Sequence, residues 1–182
     1  MALIKPYMDW KPKIHPTVYL AENATVIGNV ELGEYSSLWF GSVVRGDVHF
    51  IRIGKYSNIQ DNAIIHVTHY TKPDMSDGFP TVIGDFVTVA HGAIIHGATI
   101  GNNVLVGIGA IVLDGAKIGD NTVIAAGSLV PPRKEFPPGV LLMGRPAQIK
   151  RELSPEEIDK IKQNALNYQK YAQQYLKQNA TP

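Results

Sequence analysis

This sequence predicts an all-β solenoid built in six-residue steps and closed by one long α-helix. Three observations predict it: an aliphatic residue recurs at every sixth position, aliphatic–glycine pairs keep step with that row, and a capped amphipathic stretch follows Ser154. A six-residue period matches neither the 3.6-residue helix nor the two-residue alternation of hairpins. It matches a stack of coils, each burying its aliphatic row against the coils above and below.

The row begins at Ile14 and continues through Leu20, Val26, Leu32, Leu38 and Val44. After a longer gap containing Arg45-Gly46-Asp47 it resumes at Ile53, Ile59 and Ile65, and returns at Ile83, Val89 and Ile95. It then slips by one residue and runs Ile100, Val106, Val112, Ile118, Ile124, Val130. The pairs Ile27-Gly28, Leu32-Gly33, Ile53-Gly54, Ile83-Gly84, Ile100-Gly101 and Ile118-Gly119 recur along the chain, all but the first with their aliphatic on this row. This pattern resembles the left-handed β-helix family, whose coils take three hexapeptides each; the handedness and the three-sided coil come from that resemblance.

Residues 67–80 break the register with a polar stretch containing Pro73 and Gly78, which predicts a loop projecting from the prism beside His66. The prolines of 131–139 predict that the regular ladder stops near Val130. Ser154-Pro155-Glu156-Glu157 supplies an N-cap, a proline at the first helical position and a glutamate to close a capping box. Ile158, Ile161, Ala165, Tyr168, Ala172 and Tyr175 then follow at helical spacing. Residues 1–150 therefore read as the β-helix and 151–182 as a helix packed on its outside, with 179–182 fraying.

A chain of 182 residues with 45% hydrophobic content suits one core. Seventeen Lys and Arg balance sixteen Asp and Glu with no block of one sign, so the footprint of a nucleic-acid or anionic-membrane binder is missing. The first residues lack a signal-peptide pattern and no apolar run is long enough to span a bilayer, so a cytoplasmic location is expected. The absence of cysteine excludes disulfides, thiolate ligands and a cysteine nucleophile.

Chemistry concentrates between Asn58 and His96. With three hexapeptides per coil, 53/59/65 form one coil and 83/89/95 the next, so His66 and His96 stack on one face. At a strand spacing of about 4.8 Å two such imidazoles can share one ion. His91, two residues after Val89 and stacked on Asp61, belongs to another face. A neighbouring subunit related by threefold symmetry can bring it opposite His66 and His96, which predicts a homotrimer with three metal sites between subunits. His15, His49 and His69 show no such relation and read as surface residues, with His69 placed in the loop where it could relay protons.

Arg45-Gly46-Asp47, Asn58-Ile59-Gln60-Asp61, His66, and His91 with His96 five residues later resemble the γ-class carbonic anhydrases and their close hexapeptide relatives. The resemblance covers nearly the whole chain. It implies that His66 and His96 of one subunit and His91 of another hold Zn2+, with Fe2+ or Co2+ as alternatives, and that a metal-bound hydroxide hydrates CO2 reversibly to bicarbonate. It further implies that Gln60 orients the nucleophile with Asn58 beside it, that Arg45 and Asp47 tie subunits together near the site, and that Asp61 supports the interface or a ligand. Tyr168 matches a helix tyrosine that approaches the metal, although it also fits the apolar stripe. Well-known active members carry acidic residues in the loop and just after Arg-Gly-Asp. Here Val48 follows Asp47 and the loop has no Glu, leaving His69, Asp74 and Asp77 as proton carriers and implying weaker hydration. Three other functions compete: a hexapeptide acyltransferase with a histidine base, a thioester hydrolase, and a non-catalytic metal-binding protein.

Overall fold

The computed structural model describes residues 1–179. Residues 180–182, where most of the expected fraying falls, lie outside the described residues. The chain forms a left-handed parallel β-helix with three faces and one helix, Pro155–Asn179. The predicted row is the inside of the prism. Val44, Ile65, Ile95, Val112 and Val130 pair in sequence on the first face. Ile53, Ile83, Ile100, Ile118 and Phe136 pair on the second. Leu38, Ile59, Val89, Val106, Ile124 and Leu142 pair on the third. Most of these side chains are fully buried, which is what a stack of short strands requires because no single coil encloses a core.

The first and second faces form one twelve-stranded sheet because two long strands, Thr25–Leu32 and Val43–Ile53, run through the corner between them. Their pairing shifts register between Gly28 and Val30, where Gly28 faces Gly46 and Val30 faces Ile51. A Cβ on Gly28 would lie 2.4 Å from the Gly46 carbonyl oxygen, so the two backbones approach only because the first residue is glycine. The longer gap in the aliphatic row is therefore a bulge in a continuous strand, and bulges re-aim the side chains beside them. Here that side chain is Asp47.

Two expectations are corrected. The ladder does not stop near Val130: Glu135–Phe136 pairs with Lys117–Ile118, Val140–Gly144 pairs with Val123–Ile124, and Ala147–Glu152 returns antiparallel. The four prolines lie outside these strands, where a missing N–H costs no ladder bond. His49 is not a surface residue but only 1% exposed, covered by the 67–80 loop. Its Nε2–H donates to the Asp77 carbonyl and its Nδ1 accepts from the Phe50 N–H. The other two, His15 and His69, are exposed.

The loop leaves the prism at the corner after His66 and is clasped at its base by reciprocal backbone bonds between Thr68 and Phe79. The helix starts on a reciprocal capping box: Glu157 N–H donates to Ser154 Oγ at 3.3 Å, and Ser154 N–H donates to Glu157 Oε2 at 3.0 Å. Arg151 clamps the same carboxylate with two bonds. The predicted stripe buries Ile161, Ala165 and Ala172 against the third face, where Tyr175 packs on Tyr19, Trp39 and Phe40. No helix among the described residues is long and apolar enough to cross a membrane.

Candidate metal centre

His66 and His96 end adjacent strands of the first face and are direct ladder partners. Their facing nitrogens, Nδ1 of His66 and Nε2 of His96, lie 3.1 Å apart. Each ring's other nitrogen meets a carboxylate: His66 Nε2 meets Asp47 Oδ1 at 3.1 Å and His96 Nδ1 meets Asp114 Oδ1 at 2.8 Å. The bulge supplies Asp47, which Arg45 also binds. Burial pushes the Asp47 carboxyl upward, yet the hydrogen bonds from Arg45 and His66 outweigh it and hold the group below the usual carboxylate range. Burial lowers the His66 imidazole, which keeps it neutral and able to offer a lone pair.

Glycine makes the second contact possible. Gly97 turns the corner after His96 with φ of +59°, and a Cβ there would sit 2.3 Å from Asp114 Oδ1. Only without that carbon does Asp114, one coil on, reach back to His96. The register slip noted after Ile95 is this tight corner.

The third face carries the other group. His91 Nδ1 lies 2.7 Å from Asp61 Oδ2, and the remaining Asp61 oxygen accepts from the Phe40 N–H. Beside them Gln60 and Asn58 are buried. Gln60 Nε2 donates to Asn58 Oδ1 at 3.0 Å, and Asn58 Nδ2 donates to Thr88 Oγ1 at 2.9 Å. This chain of bonds fixes which way the Gln60 amide faces and leaves its carbonyl oxygen outside the chain, where it can act only as an acceptor. Gln60, His91, Ala90, Ile108, Asn164 and Tyr168 border a cavity of about 380 Å³ between the face and the helix. Tyr168 packs edge-on against Trp39 at 5.3 Å, as its place on the apolar stripe predicts, and also lines this cavity. Burial, with Asp61 nearby, raises its phenol above the ordinary value.

One chain does not unite the two groups. His91 lies in the turn that precedes the strand Ile94–His96, and His96 ends that strand, a separation whose fully extended limit is about 16 Å at roughly 3.3 Å per residue. Among the described residues no group of three or more His, Cys, Asp or Glu is gathered to hold a metal. The donor set nevertheless fits one. If each imidazole gives its N–H to its aspartate, His66 and His96 face each other with two lone pairs, an arrangement that a shared cation relieves. Nitrogens about 2.05 Å from a tetrahedral ion lie roughly 3.3 Å apart, close to the spacing observed here. His91, with Nδ1 on Asp61, keeps Nε2 for a ligand in the same manner. Aspartates behind metal-binding imidazoles are a recurrent arrangement. Sequence reasoning missed Asp114 and Thr88; extending the stack one coil beyond His96 would have reached Asp114, whereas Thr88 carried no signal of its own.

Comparison with known proteins adds four findings. The family model of the bacterial transferase hexapeptide (six repeats) matches residues 97–132. A Methanocaldococcus jannaschii protein named "Probable carbonic anhydrase" is 50% identical over 160 residues, covering 88% of this chain and 96% of that protein. Gamma carbonic anhydrase 1, mitochondrial, of Arabidopsis thaliana is 41% identical over 175 residues, covering 96% of this chain and 62% of that protein. The crystal structure of a hexapeptide transferase family protein from Anaplasma phagocytophilum aligns with a TM-score of 0.87 at 39% identity, covering 95% of this chain and 98% of that one.

Proposed function

The chain belongs to the γ-carbonic anhydrase family of hexapeptide-repeat proteins, and from that premise we propose that it interconverts CO2 and bicarbonate at a three-histidine metal centre shared between subunits of a homotrimer. The observation that carries this reading is the pairing of His66, His91 and His96 each with its own aspartate, which leaves one ring nitrogen on each for an ion. The hexapeptide family model covers residues 97–132, which build coils and contain none of the three histidines, whereas the Anaplasma structure named for a transferase family aligns over 95% of the chain.

His66 and His96 of one subunit and His91 of the next would hold Zn2+, Fe2+ or Co2+. A divalent cation supplies Lewis-acid activation of water near neutral pH. The residues of the chain do the rest. Gln60, held by Asn58, accepts a hydrogen bond from the water and turns its reactive lone pair toward CO2. The apolar wall of Ala90, Leu105, Ile108 and Ala125 suits a nonpolar substrate. Water adds its oxygen to the carbon of CO2, giving bicarbonate and one proton that must leave the site. Asp77 is a poor carrier, because hydrogen bonds from Thr71 and Lys72 hold its pKa at about 2. His69 is exposed and borders a cavity of about 270 Å³ that also reaches Asp47, so it is the proton's exit.

Stopped-flow CO2 hydration on protein purified without air and loaded separately with zinc, iron or cobalt tests the reading, together with metal content per chain. About one ion per chain is expected, with hydration lost in His66→Ala. A loaded protein that hydrates no CO2 would overturn the anhydrase reading and direct the assay to thioesters.

A further inference from the structure

One oxygen of Asp114 receives two side chains from two different coils. Thr68 Oγ1 donates to Asp114 Oδ1 at 2.5 Å, and His96 Nδ1 meets the same atom at 2.8 Å. Thr68 stands two residues after His66, at the start of the 67–80 loop. Asp114 therefore joins three successive coils: its own, that of His96, and the end of the strand that carries His66. We propose that Asp114 is the positioning residue of the centre, fixing the His96 tautomer and, through Thr68, holding the base of the loop in register with the two facing imidazoles. The proposal rests on the three-histidine reading above for its metal consequence, but its tautomer and loop consequences stand without it.

Several features converge on this contact. A carboxylate accepts and does not donate, so the His96 proton resides on Nδ1 and the lone pair on Nε2 is the one that faces His66. Gly97 makes room, as described. Phe79, paired with Thr68 through the backbone, occupies the same corner: a Cβ on Gly97 would lie 2.7 Å from Phe79 Cβ, and one on Gly115 would lie 2.8 Å from the Phe79 ring. The Arg133 guanidinium lies 5.5 Å from the centre of that ring. The loop base is thus packed as well as hydrogen-bonded, and the Thr68 hydroxyl is its polar link to the centre. An imidazole without such a partner samples both tautomers and more ring orientations, and only one of these offers Nε2 to an ion.

The test uses the full-length protein, metal-free, with 15N-labelled histidine, followed by Co2+ titration against a competing chelator. The wild type is expected to show His96 protonated on Nδ1. Asp114→Ala should lose that preference and bind Co2+ about 10- to 100-fold more weakly. Asp114→Asn, which keeps an acceptor oxygen, should retain the tautomer and most of the affinity. Thr68→Val should leave the tautomer in place while amide hydrogen exchange quickens at Thr68 and Phe79. Unchanged His96 signals in Asp114→Ala, or Asn and Ala variants that behave alike, would overturn the positioning role even if the wild type binds Co2+ normally. A wild type that binds no Co2+ yet loses the tautomer in Asp114→Ala would sink the metal reading and leave the positioning role standing.

Discussion

At the scale of single residues, His49 shows how burial turns an ordinary side chain into a pH-sensitive one. Its neutral form is locked by one bond given to Asp77 and one received from Phe50, with the Tyr70 ring 5.5 Å away. Burial, then the charge of Arg52, lowers its pKa against the opposing pull of Asp77. A histidine whose folded pKa lies below its unfolded value near 6.5 binds more protons when unfolded, so stability rises with pH across that interval. The contribution is complete above the unfolded value and is lost as the pH falls from there through the folded one. Urea unfolding at pH 7.5 and pH 5.0 should therefore show a larger loss on acidification for the wild type than for His49→Gln. Equal losses would remove His49 from the account. Nothing beside His49 in the chain signals this burial, since a histidine between Val48 and Phe50 is equally at home on an outward face. The bulge and the overlying loop, both tertiary features, decide it.

At the scale of elements, local chemistry and long-range geometry divide the work differently. The terminal helix was legible because its start rests on neighbours in sequence: Ser154 and Glu157 exchange bonds three residues apart. Ser154→Ala should cost about 0.5–2 kcal/mol of stability, read as a fall in the urea midpoint at unchanged m-value. Loss confined to a few tenths would mean that Arg151 and the packing of Ile161 and Ala165 hold the helix without its cap. The strands near the Pro-rich stretch were misread for the opposite reason. Proline forbids a donor at its own position but says nothing about Glu135 and Phe136 between the pairs, and the coil beneath supplied the partners. Likewise the His66–His96 stack followed from counting in sixes, whereas Asp47 reached His66 only through a bulge that the count registered as a gap.

At the scale of the whole molecule, the two halves of the proposed centre lie on different faces, and assembly becomes a chemical requirement. This has a clean test in mixed subunits. Chains carrying His66→Ala and chains carrying His91→Ala should each bind no metal at the centre alone. After they are unfolded and refolded together, a junction with His66 and His96 intact on one side and His91 intact on the other forms in roughly a quarter of random pairings. Metal content should recover to about that fraction of the wild type, and a mixture that recovers none would place the ligands within one chain. The prism itself was the most legible part of this protein, because a six-residue repeat marks most steps from Ile14 to Val130, while the proposed assembly is inferred only from the separation of His91 from His66 and His96.

The clasp between Thr68 and Phe79 carries one more consequence. Because the chain leaves and re-enters the wall at neighbouring points, the number of residues between them enters no ladder arithmetic. The wall keeps time while the excursion is free to vary, so the surroundings of the imidazoles can be recomposed in length, charge and shape without asking any coil to change its step. The fold offers a place for improvisation beside a fixed metre.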